Sequence, residues 1–389
     1  MSKTIVIAGA GHAAGQVVAS LRQHDFDGRI VLVGDEPYLP YQRPPLSKKF
    51  LAGDMPAERL YFKPESFYED VELHLDTRIA AIERDARCVV SDTGESIAYD
   101  TLVLALGSRV RRLPVEGADL PGVHYLRSIA DVEGIRADLD KGKSLVVIGA
   151  GYIGLEVAAV AQQAGLDVTV LETEDRVMSR VVSPEVSDFY QIQHADRGVR
   201  LRLATSATSI DGKRRVRAVT TSAGESVPAD LVVIGVGIVP NTELAAAAGL
   251  DVDNGIVVDD HCVTSDPDIY AVGDCTLHPN CIYERNLRLE SVHNALEQAK
   301  TAAANICGRD TAYCQVPWFW SDQYDLKLQI AGLSEGYDEV VIRGNPAECS
   351  FSCVYLRHGR VVAIDAINAP RDFVQAKQLI EKRVEVTAE

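Results

Sequence analysis

The sequence predicts an α/β fold with two parallel-sheet domains and a smaller C-terminal α+β domain. Two glycine-rich turns carry most of this prediction, and a change of composition after residue 312 carries the rest. The first glycine turn is Gly9-Ala-Gly11-His-Ala13-Ala14-Gly15, after the apolar run 4–8; the second is Gly149-Ala-Gly151-Tyr152-Ile153-Gly154, after the run 144–148. An apolar strand, such a turn and a helix together open a Rossmann-like βαβ unit.

Each turn begins a similar run of elements. In the first region we expect strand 4–8, helix 14–24, strand 29–33, a proline-rich loop at 37–45 and strand 99–107. In the second region we expect strand 144–148, helix 151–163, strand 167–171 and a buried strand at 230–235. Apolar residues at helical spacing, such as Val17, Val18 and Leu21, indicate the helices, and unbroken apolar runs indicate buried strands.

The last region has a different composition. Aromatic residues cluster at Tyr313, Trp318, Phe319, Trp320 and Tyr324. Strands at 339–343, 349–356 and 360–364 and a helix at 370–383 follow, which is typical of an α+β domain. We therefore predict a discontinuous first domain (1–107 and 231–312), an inserted second domain (108–230) and a third domain (313–389).

Composition excludes several classes of function. The chain has 389 residues, a formal net charge of −17 and 47% hydrophobic residues. No run of Lys and Arg favours nucleic acid as a partner, and no apolar stretch is long enough to cross a membrane. The first strand begins within a few residues of Met1, so we expect no signal peptide and a cytoplasmic protein, as a monomer or weak dimer.

The eight cysteines show no metal-binding spacing. None forms a CxxC pair, and only Cys349 and Cys353 lie close enough in sequence to share one face of a strand. We expect no metal site and eight reduced, mostly buried thiols.

The spacing within each glycine turn suits a dinucleotide. The first glycine permits the tight turn, the second lets a pyrophosphate approach the backbone, and the third position lets helix pack on strand. Ala14 stands at the third position of the first turn, which the pattern tolerates. An acid that can bind a ribose ends the second strand of each unit: Asp35, with Glu36 beside it, and Glu172. A purely structural glycine turn is disfavoured because all these features occur twice.

The acids of the second unit also bear on the choice of nucleotide. Glu172, Glu174 and Asp175 would repel a 2′-phosphate, so we expect NADH rather than NADPH. Arg176 leaves the alternative open, since a guanidinium could reach such a phosphate.

Further segments resemble a known family. Ile269-Tyr-Ala-Val-Gly273-Asp274-Cys275 and Thr101-Leu-Val-Leu-Ala-Leu-Gly107 resemble FAD contacts of the glutathione-reductase-like flavoproteins. Within that superfamily, segments 41–48, 290–299 and 317–325 are similar to the FAD-dependent NADH–ferredoxin reductases of bacterial oxygenase systems. The resemblance covers essentially the whole chain.

This resemblance implies two cofactors, FAD and NADH, and a set of residues for each. Those implied for FAD are Gly9, Gly11, Ala13, Ala14, Asp35, Arg43, Lys48, Ile79, Arg127, Asp274, Val292 and Trp320. Those implied for NADH are Gly149, Gly151, Tyr152, Ile153, Gly154, Glu156, Glu172 and Gly237. No metal site is implied.

Three residues are implied as catalytic. Lys48 would stabilise the anionic reduced flavin near N5, and Glu156 would pair with Lys48 and orient the nicotinamide. Trp320 would lie beside the flavin on the path of the departing electron. The alternatives are a surface lysine, a helix-surface glutamate and a tryptophan of an aromatic core.

An absence separates this chain from the disulfide reductases of the superfamily. Those enzymes carry a cysteine pair soon after the first ribose acid, and this sequence has no cysteine before Cys88. Electrons must therefore leave from the flavin, which can accept a hydride and give electrons singly. The resemblance implies a 2Fe-2S ferredoxin as acceptor, serving a haem monooxygenase or a ring-hydroxylating dioxygenase.

Such ferredoxins are acidic, so docking near the flavin edge needs local positive charge. Our candidates are Arg285, Arg288, Arg309 and Lys327. The sequence leaves other functions open: a rubredoxin reductase, an NADH oxidase or quinone-type reductase, or a redox sensor like apoptosis-inducing factor.

Overall fold

The computed structural model describes residues 3–140 and 142–385, and the chain divides into two compact units. The first unit comprises Met1–Gln42, Leu60–Arg109 and Val239–Trp318. The second unit comprises Arg43–Arg59, Val110–Ile238 and Phe319–Glu389.

The helices of the described residues are, in chain order, α1 (His12–Gln23), α2 (Lys49–Ala52), α3 (Ile129–Asp138), α4 (Tyr152–Gln163), α5 (Pro184–Asp196), α6 (Glu243–Ala247), α7 (Val292–Ile306) and α8 (Pro370–Glu381). Short 3₁₀ turns cover Pro44–Ser47, Ala57–Leu60, Glu65–Tyr68 and Pro346–Glu348. None of these helices combines the length and the apolar character that a membrane crossing requires.

The strands are β1 (Thr4–Ala8), β2 (Arg29–Val33), β3 (Glu72–His74), β4 (Ile79–Glu83), β5 (Cys88–Ser91), β6 (Ser96–Ala98), β7 (Thr101–Leu104), β8 (Ser108–Val110), β9 (Val123–Tyr125), β10 (Ser144–Ile148), β11 (Asp167–Leu171), β12 (Arg200–Arg202), β13 (Ala207–Gly212) and β14 (Val216–Thr221). They continue with β15 (Ser226–Pro228), β16 (Leu231–Ile234), β17 (Ile238–Pro240), β18 (Val252–Asp253), β19 (Gly255–Val257), β20 (Ile269–Ala271), β21 (Thr276–Asn280), β22 (Arg285–Leu287), β23 (Trp318–Gln323), β24 (Leu326–Gly332), β25 (Glu339–Asn345), β26 (Ser350–Arg357) and β27 (Arg360–Ile367).

A parallel sheet forms the centre of the first unit. Its strand order is β20-β7-β1-β2-β3, and its central strands are buried on both faces, as their unbroken apolar sequences require. Helices α1 and α7 cover one face, where Val17 and Leu21 lie in one core with Ala299 and Ala302. This sheet brings the first glycine turn, at the end of β1, next to the ends of β7 and β20.

The first unit also contains a disulfide bond between Cys281 and Cys314, whose Cα atoms lie 5.6 Å apart. The expectation of eight reduced thiols is therefore wrong for this pair. The error has a physical reason: the two residues are 33 positions apart in sequence and meet only through the fold. Of the free cysteines, Cys262, Cys275 and Cys353 are buried, as expected.

The second unit repeats the parallel arrangement, with strand order β12-β11-β10-β16-β9. Strand β16 pairs with β10 in parallel, from Leu145 against Leu231 to Ile148 against Ile234. Our prediction that the first domain resumes at residue 231 is therefore wrong for this strand. Its apolar run suits either sheet equally well, and pairing alone decides between them. The rest of the three-domain division stays a prediction.

The end of the chain forms an antiparallel sheet, β23-β24-β27-β26-β25, with α8 packed against it through Phe373, Ala376 and Ile380. The predicted fold class, two Rossmann-like units and a C-terminal α+β part, is confirmed.

Candidate functional site

The first glycine turn is shaped by close backbone contacts on one side and open space on the other. Gly9 has φ +111°, and a Cβ there would lie 2.3 Å from the carbonyl oxygen of Ala105, so the position requires glycine. Gly11 precedes α1 and faces open space, with no atom within 4 Å of an added Cβ. No side chain caps α1, so its first N–H groups are available to a phosphate. Ala13 and Ala14 are buried on the inner side of the helix.

The turn that contains Asp274, a residue implied for FAD, follows β20 in the sheet of the first unit. Ser108 Oγ donates to Asp274 Oδ2 at 2.9 Å. The preceding Gly273 has φ +87°, and its N–H donates to Gln298 Oε1 at 2.8 Å. Gln298 is fully buried, yet its Nε2 has no hydrogen-bond partner among the described residues. The open space at Gly11, in front of the uncapped start of α1, fits the pyrophosphate of a bound FAD.

The other residues implied for FAD in this unit lie at the ends of elements. Asp35 is exposed just after β2, whereas the neighbouring Glu36 accepts a hydrogen bond from Tyr41 Oη at 2.6 Å. Val292 is the first residue of α7, which Ser291 caps. Ile79 begins β4 with its side chain in the core, so contact with a ligand would come from its backbone.

The second glycine turn has the same construction. Gly149 has φ +104°, and a Cβ there would lie 2.5 Å from the carbonyl oxygen of Gly235. Gly151 faces open space, and no side chain caps α4 behind it. Gly154 packs so closely that a Cβ would lie 2.1 Å from the carbonyl oxygen of Gly149. This turn can therefore hold a second dinucleotide in the same way.

Glu172 lies beside this second turn, and its carboxylate braces the turn. Its Oε2 accepts from the Ala150 N–H at 2.6 Å, and its Oε1 accepts from the Glu174 N–H at 3.0 Å. Arg176 was the residue that could have bound the 2′-phosphate of NADPH. Its guanidinium instead donates hydrogen bonds to the carbonyl oxygens of Val182 and Ser179, at 2.8 and 2.6 Å. That guanidinium is engaged, which favours NADH.

Gly237 follows β16 with φ +99°. The guanidinium of Arg180 lies 3.9 Å from the position that a Cβ would take there. Arg180 is exposed, and no sequence pattern singled it out. It is a further cation at the site implied for NADH.

Lys48 and Glu156 form a buried ion pair within the second unit. Lys48 Nζ donates to Glu156 Oε2 at 2.7 Å, and the two side chains are 16% and 3% exposed. Ser47 Oγ also donates to Oε2, and Ser321 Oγ donates to Oε1 at 2.7 Å. Burial raises the pKa of Glu156, while Lys48 and the two hydroxyl groups favour its charged form. The pair is therefore neither a free surface lysine nor a helix-surface glutamate.

Two residues that were implied separately for FAD meet in the same unit. Arg43 Nη1 donates to the carbonyl oxygen of Arg127 at 2.6 Å. Arg43 precedes the 3₁₀ turn Pro44–Ser47 that carries Ser47 next to Lys48, so this bond anchors the lysine-bearing segment.

The aromatic residues around the second turn are partly exposed. Tyr152 lies against Phe319 with ring centroids 4.8 Å apart, and Phe319 lies 6.3 Å from Trp320. Ile153 is 42% exposed, and Trp320 is half-buried, so Trp320 is not fully enclosed in an aromatic core.

The implied FAD residues divide between the units: Arg43, Lys48, Arg127 and Trp320 belong to the second, and the other eight belong to the first. Five side chains at these sites were not predicted from the sequence: Ser47, Ser108, Arg180, Gln298 and Ser321. Three of these, Ser47, Gln298 and Ser321, lie inside segments that carried the family resemblance, which was the available signal.

Comparison with known proteins shows the family of this chain. Residues 3–299 match the model of the pyridine nucleotide-disulphide oxidoreductase family, and residues 318–389 match the reductase C-terminal family. Rhodocoxin reductase of Rhodococcus erythropolis is 46% identical over 99% of this chain and 91% of its own. Putidaredoxin reductase of Pseudomonas putida is 46% identical over 98% of this chain and 92% of its own.

Solved structures extend the likeness to three dimensions. The covalent putidaredoxin reductase–putidaredoxin complex matches with a TM-score of 0.96 at 46% identity, over 98% of this chain and 94% of the solved chain. The ferredoxin reductase for the CYP199A2 system of Rhodopseudomonas palustris also has a TM-score of 0.96 at 46% identity, over 99% and 96% of the two chains.

Proposed function

This chain belongs to the pyridine nucleotide-disulphide oxidoreductase family, among its ferredoxin reductases, and from that premise we propose how its own residues serve the activity. It is an FAD-dependent oxidoreductase that takes a hydride from NADH and passes electrons to a ferredoxin of an oxygenase system. FAD, when bound, supplies a group that can accept two electrons together and give them up one at a time.

We propose that each glycine turn binds one of the two cofactors. The first turn, together with Asp274, would hold FAD. The second turn, with Glu172 at its ribose end, would hold NADH. In both turns the uncapped helix N-terminus carries the partial positive charge that a pyrophosphate requires.

The observation that carries the catalytic proposal is the buried Lys48–Glu156 pair. Its ammonium would stabilise negative charge that develops on the reduced flavin, and its carboxylate would fix the ammonium and orient the nicotinamide. An ammonium in a partly desolvated site stabilises such charge more strongly than one in water, because the local dielectric constant is low. Burial raises the pKa of Glu156, and Lys48, Ser47 and Ser321 act in the opposite direction by favouring the charged carboxylate.

The test replaces Lys48 by Met in the FAD-loaded enzyme and follows flavin reduction after rapid mixing with NADH. We expect Lys48→Met to slow reduction by about a hundredfold, the scale of one preorganised charge, with NADH affinity changed much less. The exposed neighbour Lys49 supplies the control, and Lys49→Met should leave the rate unchanged. An unchanged rate in Lys48→Met would remove Lys48 from the reaction.

The finer identity of the partner also belongs to the proposal. We propose a 2Fe-2S ferredoxin that serves a haem monooxygenase or a ring-hydroxylating dioxygenase, received by a monomer or weak dimer. Trp320 would lie on the electron's exit path, and Arg285, Arg288, Arg309 and Lys327 would attract the acidic partner. Arg288 is the least available of these, since it is 15% exposed and bound to Glu290 at 2.6 Å.

A further inference from the structure

Within the second unit, a series of hydrogen bonds extends from Glu156. Ser321 Oγ bonds Glu156 Oε1 at 2.7 Å, Gln323 Nε2 bonds Ser321 Oγ at 3.2 Å, His194 Nε2 bonds Gln323 Oε1 at 2.8 Å, and Tyr324 Oη lies 3.3 Å from His194 Nδ1. We call Tyr324, His194, Gln323 and Ser321 the donor chain. Ser321, Gln323 and His194 are fully buried.

The chemistry of the groups gives this line one direction. An amide oxygen only accepts, so His194 Nε2 must carry the hydrogen that meets Gln323 Oε1. His194 Nδ1 then accepts from Tyr324, and burial lowers the pKa of His194 to about 4, which keeps the ring neutral near pH 7. Each group donates toward Glu156, so the dipoles add at its carboxylate.

The same chemistry argues against proton conduction along this line. A proton would have to cross the Gln323 amide, whose nitrogen lone pair is delocalised into the carbonyl group and so does not accept a proton. The line therefore suits orientation of the carboxylate rather than transport.

We propose that Gln323 and His194 are positioning residues of the hydride-transfer step, acting through Ser321 to hold Glu156. With Oε1 held by Ser321, Oε2 faces Ser47 and Lys48 in one fixed rotamer, and the ammonium is fixed in turn. Removal of the line frees the carboxylate to rotate and the lysine to move. This inference rests on the proposed function of the Lys48–Glu156 pair.

The first test is Gln323→Met, which keeps the volume and removes both hydrogen bonds. We expect flavin reduction in the holoenzyme to slow by about tenfold, while the NADH concentration at half-maximal rate changes less than about twofold. The matched control is Gln329→Met, on the neighbouring strand β24, which should leave both quantities unchanged.

The second test changes the histidine in two ways. His194→Gln keeps a donor toward Gln323 and an acceptor toward Tyr324, so it should retain most of the rate, whereas His194→Phe should slow reduction as Gln323→Met does. Independently of turnover, ¹⁵N NMR of His194 should show a protonated Nε2 in the wild-type holoenzyme and mixed tautomers in Gln323→Met. A His194→Gln as slow as His194→Phe would contradict the donor chain.

A double variant separates this inference from the function on which it rests. On a Lys48→Met background, Gln323→Met should slow reduction no further, because both act through one ammonium. If Lys48→Met alone has no effect, the proposed function of the pair fails. If Lys48→Met is slow and Gln323→Met is normal, or if the two effects multiply, only the positioning role is overturned. A solvent isotope effect that His194→Phe abolishes would also overturn it, in favour of proton conduction.

Discussion

The two glycine turns have the same backbone conformation and differ in the side chains that stabilise them. Both place a glycine with positive φ against a carbonyl oxygen and leave the next glycine facing open space. The first turn has Ala14 at the third position and an exposed Asp35 beside it, whereas the second has Gly154 in close backbone contact and Glu172 bonded to the turn itself. We propose that the repeated backbone binds a pyrophosphate in both turns and that the flanking side chains make the two sites different.

The largest effects should come from filling the two crowded positions. Gly9→Ala and Gly149→Ala each place a Cβ within 2.5 Å of a carbonyl oxygen at a positive φ. We expect purified Gly9→Ala to lack the yellow FAD, and Gly149→Ala to keep FAD while it loses NADH binding in a fluorescence titration.

The open positions Gly11 and Gly151 provide the controls for this comparison, since an added Cβ meets no protein atom there. Gly11→Ala and Gly151→Ala should fold with wild-type thermal stability and weaken only the nucleotide of their own turn. If Gly149→Ala removed FAD and Gly9→Ala removed NADH, the assignment of the turns would be reversed.

A smaller effect, on the pH dependence of stability, should come from one buried histidine in each unit. The pKa of His278 in the first unit and of His194 in the second are both lowered to about 4 by burial. Below about pH 6.5 each of these histidines binds a proton in the unfolded chain but stays neutral in the folded protein. The free energy of unfolding therefore falls as the pH drops from about 6.5 to 4. Each ring contributes about 3 kcal/mol to that loss by linkage.

The two rings should respond differently to replacement by Phe. Neither nitrogen of His278 has a hydrogen-bond partner among the described residues, whereas both nitrogens of His194 have one. His278→Phe should therefore have the melting temperature of the wild-type protein at pH 7 and a higher melting temperature than the wild-type protein at pH 5. His194→Phe should lower it at pH 7, and equal behaviour at pH 7 would remove the distinction.

The smallest effect should come from Glu172, which bonds to the second turn and for which we propose a ribose-binding role. Glu172→Gln keeps an oxygen for the Ala150 N–H and removes the negative charge. We expect NADH affinity to fall by less than about tenfold and NADPH affinity to rise, which titration with each nucleotide measures. Arg176→Ala is the control: its guanidinium already binds the protein, so it should cost stability and leave the NADH-to-NADPH ratio unchanged.

Local sequence was sufficient wherever the signal lay within one βαβ unit. The strand, turn, helix and acid of each unit lie within about 30 residues of one another, a span over which periodicity and glycine spacing are informative. The pairing of Lys48 with Glu156 came only through the family resemblance, since 108 residues separate the two.

Features built from distant residues were missed. Strand β16 could join either sheet, and the disulfide joins Cys281 to Cys314 across 33 residues. Ser321 lies 165 residues from Glu156, and Gln323 lies 129 residues from His194. Apart from the family resemblance of segment 317–325, no pattern in the neighbourhood of these residues distinguishes them from ordinary buried polar side chains.

The sequence by itself determined the two strand–turn–helix units with their glycine turns, because glycine spacing and strand periodicity are properties of neighbouring residues. It also excluded a dithiol relay, because the cysteines that such a relay needs are absent before Cys88. Only the tertiary structure decided how the glutamate of the Lys48–Glu156 pair is held and which sheet takes β16. Burial and hydrogen bonding depend on which distant segments meet, and that is a property of the packed chain.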